Sequence, residues 1–191
     1  MRILGIVGSP RKDGNTELMV KAALETAKET GAETDLFLIS EKNVTACDAC
    51  DSCLRTGFCH IKDDMQELYQ KLEWADGIIF GTPVYFSNVT AQAKAIIDRT
   101  FACRKNRTLS GKAVGAVIVT RRLGATQVRS LLYTFFIGQG AIAVGAAVGY
   151  ALHKGDIVNG IGGSPANLPA LEEARNLARD IMQMVKRLPQ P

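Results

Sequence analysis

Arg2-Ile3-Leu4-Gly5-Ile6-Val7-Gly8 runs directly into Ser9-Pro10-Arg11-Lys12-Asp13-Gly14-Asn15-Thr16. The first stretch, residues 2–8, is a short continuous apolar run, the pattern of a strand buried on both faces. The second is a glycine- and polar-rich loop. Behind it Met19, Ala23 and Ala27 fall at i, i+4 and i+8, a helical spacing that ends near Gly31. The unit then recurs. Residues 34–39, 76–82, 112–120 and 141–148 read as further strands, and helices are predicted over about 89–101 and 124–138. Met65, Leu68, Tyr69 and Leu72 form an apolar helix face behind Asp63-Asp64, a predicted N-cap. A glycine-rich loop over 153–165 leads to a last helix striped by Leu171, Ala174, Ala178, Ile181, Val185 and Leu188.

Five strands alternating with helices predict an α/β fold with a parallel sheet covered on both faces, because parallel neighbours need crossover connections. With the strands ordered 2-1-3-4-5, ligands are expected beyond the carboxyl ends of strands 1 and 3, where strand order reverses. Three loops lie there: 9–16, 83–88 and 120–127. The first has the makings of a phosphate cradle, since backbone N–H groups and a helix N-terminus face it; Ser9, Asn15 and Thr16 add hydrogen bonds and Arg11 adds charge. It contains neither the G-x-G-x-x-G fingerprint nor a Walker A loop. An ordinary strand–helix loop with Asn15 or Thr16 as cap is the plainer alternative. The second loop, Pro83-Val84-Tyr85-Phe86-Ser87-Asn88, offers two aromatics and backbone to a planar heteroaromatic ring; otherwise Tyr85 and Phe86 cover core or a subunit contact. Thr120 opens the third loop and is counted with the site.

Cys47, Cys50, Cys53 and Cys59 form C-x2-C-x2-C-x5-C in a loop over about 43–62. Overlapping C-x2-C steps turn several thiolates toward one centre, as an iron–sulfur cubane requires. Zinc is the rival, although structural zinc sites usually pair two separated knuckles, and a disulfide would need an oxidising compartment. Cys103 stands alone, read as a small residue near a helix end.

The 191 residues suit one domain with a proper core, and 47% hydrophobic against 22% charged residues excludes a disordered chain. No signal peptide or membrane-spanning run is evident, so a cytoplasmic protein without a membrane partner is expected. The formal charge of +4 is scattered and lacks an aromatic platform, which argues against nucleic acid. A four-thiolate cubane of about −2 and a phosphomonoester of up to about −2 would bring the loaded protein near neutrality.

The G-S-P-R-K-D-G-N-T segment, the P-V-Y-F-S-N-V-T loop and the A-Q-A-K-A-I-I-D-R helix resemble the NADPH-dependent FMN reductase superfamily; with the cysteine run, the chain resembles its iron–sulfur flavoproteins over almost its whole length. The resemblance implies a flavodoxin-like three-layer sandwich holding FMN and a 4Fe–4S cluster, assembled as homodimers or homotetramers. It places the phosphate on Ser9, Arg11, Asn15 and Thr16, the ribityl chain and ring against 83–88, and the cluster on the four cysteines. The chain departs from the family's glycine-rich loop after strand 4, having Thr120-Arg121-Arg122-Leu123-Gly124-Ala125-Thr126-Gln127 instead. Arg121 and Arg122 either serve a negatively charged reduced flavin or sit in solvent, and the solvent reading is preferred.

Two such cofactors would let the protein pass electrons between a ferredoxin-like one-electron donor and FMN, then to a small acceptor. Strand 2 beside strand 1 would root both loops one strand spacing, ~4.8 Å, apart. No catalytic acid, base or nucleophile is evident, and His153 reads as a surface histidine. An NADPH-dependent FMN or quinone reductase with a structural metal loop, or a redox or oxygen sensor, are the other functional readings.

Overall fold

The central strand β1 (Arg2–Val7) lies between β2 (Glu33–Leu38) and β3 (Gly77–Pro83), with Leu4 opposite both Asp35 and Ile78. The computed structural model describes residues 1–159 and 168–188. Adding β4 (Ala113–Thr120) and β5 (Ile142–Tyr150) gives a wholly parallel sheet in the order β2-β1-β3-β4-β5, as the alternation predicted. Strands β1, β3 and β4 are buried almost throughout, which is why they read as unbroken apolar runs; the edge strands β2 and β5 are half-buried.

Side chains alternate across the sheet and feed two cores. Ile3, Val7 and Val117 pack with Met19, Val20 and Ala23 of α1 (Asn15–Glu29) and with Ala174, Ile181 and Val185 of α8 (Leu168–Arg187). Leu4, Ile6 and Phe80 face Leu68 of α3 (Met65–Trp74), Ile96 of α4 (Ala91–Arg99) and Leu132 of α6 (Ala125–Gly138). Each such Val, Leu, Ile, Met or Phe side chain contributes about 1.5–3 kcal/mol relative to exposure. Ala174, Ala178, Ile181 and Val185 are the buried members of the final-helix stripe.

Short elements complete the described chain: α2 (Ser52–Thr56) inside the cysteine loop, α5 (Cys103–Asn106) and α7 (Asp156–Asn159). The last interrupts the predicted loop over 153–165, whose residues 160–165 lie outside the described residues. Of the two cap expectations, the first holds in position and the second is corrected. Asp64 occupies the N-cap of α3 but makes no side-chain cap; it accepts the Asn43 N–H instead, and Asp63 takes the Met65 N–H. The N-cap of α1 is Gly14, not Asn15 or Thr16. Among the described residues no helix is long and apolar enough to cross a membrane.

Candidate cofactor sites

All strands run the same way, so the loops after β1, β2, β3 and β4 emerge at one edge of the sheet. After β1, buried Ser9 accepts the Arg11 N–H on Oγ at 3.2 Å and folds the loop back, leaving Arg11 and Lys12 exposed. Glu17 reaches back from the first turn of α1 to accept the Asp13 N–H at 2.7 Å, while Lys21 pairs with its other oxygen at 2.6 Å. Gly14 leaves the loop open on its inner side: a Cβ there would lie 3.0 Å from the Arg11 carbonyl oxygen and 3.7 Å from Ser9 Oγ. The first N–H groups of α1 have no acceptor within the helix and face this concavity with the positive end of its dipole. Thr16 is buried at that turn. The cradle therefore fits a phosphate.

Asn15 stands at the cradle with its side chain engaged elsewhere. Its Nδ2 donates to the His153 carbonyl at 2.7 Å and its Oδ1 accepts the Gly155 N–H at 2.8 Å. It positions the loop after β5 beside the cradle. His153 is exposed, as expected of a surface histidine.

After β3, Tyr85 and Asn88 exchange two backbone hydrogen bonds, 2.9 and 3.0 Å, across a two-residue turn. Phe86 and Ser87 fill that turn with φ of 48° and 60°, a left-handed conformation that bulky residues rarely adopt. The turn presents Phe86 fully and Tyr85 partly to solvent. After β4, buried Thr120 donates from Oγ1 to the Leu123 carbonyl at 2.7 Å. Gly124 follows at φ 94°, and its missing side chain matters: a Cβ would lie 2.7 Å from Val84 Cγ1 and 2.8 Å from Ser87 Cα. The two loops thus form one wall, with Phe86 and Leu123 exposed on it and Arg121 and Arg122 facing solvent as read from sequence. Together 83–88 and Thr120 frame an apolar, backbone-rich surface fit for a planar ring.

The loop after β2 carries the four cysteines. Cys47 and Cys50 are exposed, and Cys53 and Cys59 are half-buried. Ala49, Asp51 and Gly57 all take positive φ, which coils the loop on itself. Burial pushes the Cys53 thiol up, and the neighbouring charges of Cys59, Cys47 and Cys50 act in the same direction, so the four groups share one neighbourhood. A single tetrahedral zinc with Zn–S of about 2.3 Å would need sulfurs about 3.8 Å apart. Among the described residues no three cysteine sulfurs come within 4.8 Å of one another; the one trio that tight is Asp48, Cys50 and His60, drawn together by the 2.8 Å His60–Asp48 hydrogen bond. Four thiols on one short loop suit an iron–sulfur cluster by number and type. Cys103, by contrast, is buried, and burial pushes its thiol up to about 12.

Three residues that organise these sites were not anticipated. Thr90 caps α4 by accepting the Ala93 N–H on Oγ1 at 3.0 Å and donates the same hydroxyl to the Gly8 carbonyl. Its place ahead of A-Q-A-K-A-I-I was a readable N-cap signal. Glu17 was legible as a backward-reaching acid in the first turn. Arg99, at the far end of α4, is wholly buried and ion-paired with Asp63, a placement no pattern of charge predicts.

The family model for NADPH-dependent FMN reductase matches residues 1–154. The chain belongs to that family. It is 38% identical to an iron–sulfur flavoprotein of Methanocaldococcus jannaschii over 97% of this chain and 98% of that protein. An iron–sulfur flavoprotein of Methanosarcina thermophila is 45% identical over 76% of this chain and 78% of its own length. Within the family the chain thus groups with the iron–sulfur flavoproteins. Among solved structures, the NAD(P)H:quinone oxidoreductase of Methanothermobacter marburgensis aligns with TM-score 0.73 and 16% identity over 95% of this chain and 98% of that one. An archaeal flavodoxin aligns with TM-score 0.63 and 15% identity over 97% and 99%, which establishes the flavodoxin-like fold.

Proposed function

We propose that this protein holds FMN between the loops after β1, β3 and β4 and a 4Fe–4S cluster on Cys47, Cys50, Cys53 and Cys59. It passes electrons between a ferredoxin-like one-electron donor and FMN, and then to a small acceptor. The observation that carries this reading is topological: β2 pairs with β1, so the cysteine loop and the phosphate cradle leave neighbouring strands at the same edge. When bound, the cluster supplies one-electron chemistry and the flavin one- or two-electron chemistry.

The chain's residues bind and orient. Ser9, Thr16 and the α1 amides hold the phosphate, and exposed Arg11 closes over it as counter-charge. Asn15 braces the cradle from behind unless its amide lets go of His153 and Gly155. Pro83, Val84, Tyr85, Phe86, Ser87, Asn88 and Thr120 meet the ribityl chain and the ring. The exposed Tyr85, Phe86 and Leu123 lie on that wall and suit burial against a second copy of the chain in a homodimer or homotetramer.

The test is the iron, acid-labile sulfide and flavin content of protein purified without oxygen, followed by reduction with ferredoxin. About four irons and four sulfides with FMN, and reduction by ferredoxin, bear the reading out. Zinc without labile sulfide, together with turnover on NADPH, would establish a nicotinamide-dependent FMN or quinone reductase with a structural metal loop.

A further inference from the structure

Arg99 is the largest of the fully buried side chains. A buried guanidinium is costly unless its N–H groups are paired, and an apolar residue of similar volume would usually fill such a space at no loss of stability. Its side-chain partners all lie on the cysteine loop or its junction with α3. Nη1 donates to the Thr45 carbonyl at 2.8 Å and to Asp63 Oδ2 at 2.9 Å; Nη2 donates to Asp63 Oδ1 at 3.1 Å and to the Ile61 carbonyl at 3.4 Å. Asp63 in turn accepts the Thr45 N–H at 2.8 Å. Thr45 precedes Cys47 by two residues and Ile61 follows Cys59 by two, so one ion pair grips the loop on both sides of its ligands.

Neighbours reinforce the grip. Gln66 Nε2 donates to the Ile61 carbonyl at 2.6 Å and to the Cys59 carbonyl at 3.3 Å, and the Tyr69 hydroxyl donates to the carbonyl of Arg99 itself at 2.8 Å. Arg99 also lies close enough to Cys59 for their charges to interact. Its Nε is buried and has no partner. The arrangement therefore fixes the loop, and it leaves one unpartnered buried donor on a guanidinium that interacts electrostatically with Cys59.

We propose that Arg99 is the positioning residue of the iron–sulfur site: with Asp63 it holds both rims of the cysteine loop so that the four thiols face one another before any metal arrives, and its charge and free N–H favour the more negative, reduced state of the loaded loop. This rests on the cofactor assignment above. Hydrogen bonds and charge near the sulfurs of such a cluster set its potential.

Arg99→Lys keeps a charge opposite Asp63 and loses the fork. Both proteins are studied as the full FMN-loaded chain, first metal-free and then reconstituted with iron and sulfide. In the metal-free R99K variant the Thr45 amide exchanges its hydrogen at least about tenfold faster than in wild type, as loss of a protecting clamp requires. After reconstitution the variant loses iron to a chelator several times faster, and its cluster midpoint is more negative. Wild-type exchange at Thr45 overturns the proposal. Faster exchange with an unchanged midpoint makes Arg99 a structural brace only, and overturns it as well. Where R99K does not fold, Asp63→Asn carries the exchange and chelator readouts, and its midpoint moves the other way, more positive, because the guanidinium loses its counter-charge. Failure of wild type to assemble labile sulfide would refute the cofactor assignment, whereas the clamp is still decided by Thr45 exchange in metal-free protein.

Discussion

The Thr90 hydroxyl donates to the carbonyl of Gly8, eighty-two residues away, while capping the helix it precedes. One hydroxyl thereby joins the start of α4 to the start of the phosphate cradle, and α4 ends on Arg99 beneath the cysteine loop. Removing it in Thr90→Val is expected to cost about 1–2 kcal/mol for the cap alone and to weaken FMN binding, because the Gly8 carbonyl loses its partner. Urea unfolding and flavin titration measure the two effects. Wild-type affinity in a destabilised variant would separate the cap from the cradle.

Gly124→Ala sets a Cβ against Val84 and Ser87 at a backbone angle that favours glycine. The strain, on the order of 1–3 kcal/mol, falls on the wall formed by the loops after β3 and β4. FMN affinity should drop by about tenfold or more with the far-ultraviolet spectrum unchanged. Retained affinity would remove that wall from the site.

Arg11→Ala deletes an exposed cation at the cradle without disturbing the buried Ser9. A charge-assisted phosphate contact predicts a loss of ~1–3 kcal/mol in FMN binding, measured by fluorescence quenching. No change excludes Arg11.

Cys50→Ser replaces an exposed thiol at the outer turn of the loop. The variant is expected to lose iron and sulfide and to keep FMN, as metal analysis and the visible spectrum would show. Loss of both cofactors together would mean that the cysteine loop also shapes the flavin pocket.

Asp76 joins the beginnings of β1 and β3 at the opposite edge, accepting the Arg2 N–H at 2.8 Å and its guanidinium at 2.9 Å. Burial alone would raise this carboxyl, but the bonds from Arg2 outweigh it and hold it below its usual value. A carboxyl depressed in the folded state contributes stability that is present above its unfolded pKa, about 3.9, and is lost as pH falls through the lower folded value. Urea unfolding of metal-free protein between pH 2 and 7, on an arbitrary grid of about half a unit, should show a shallower acid slope in Asp76→Asn than in wild type. Equal slopes would show that the pair contributes nothing to acid sensitivity.

The sheet was legible because β1, β3 and β4 are buried on both faces, so their apolar runs are unbroken, and because the α8 stripe repeats without interruption. The loop positions followed from strand order. What escaped reading depends on contacts between distant segments. Asn15 has the residue type and position of a ligand, yet its amide meets residues 153 and 155. The α2 turn, Ser52–Thr56, is too short to show a period. Arg99 was not singled out from the sequence, and only the chain folding back at Thr45 and Asp63 shows why it is buried.

Cys103 sits apart from the other thiols, shut into the core with its proton held tightly. An alkylating reagent added to the native, metal-free protein therefore counts only the loop sulfurs, and the fifth label appears when the chain unfolds. The buried thiol makes the molecule its own internal standard: one reagent, read before and after denaturant, reports how open the cysteine loop is and whether the core is intact.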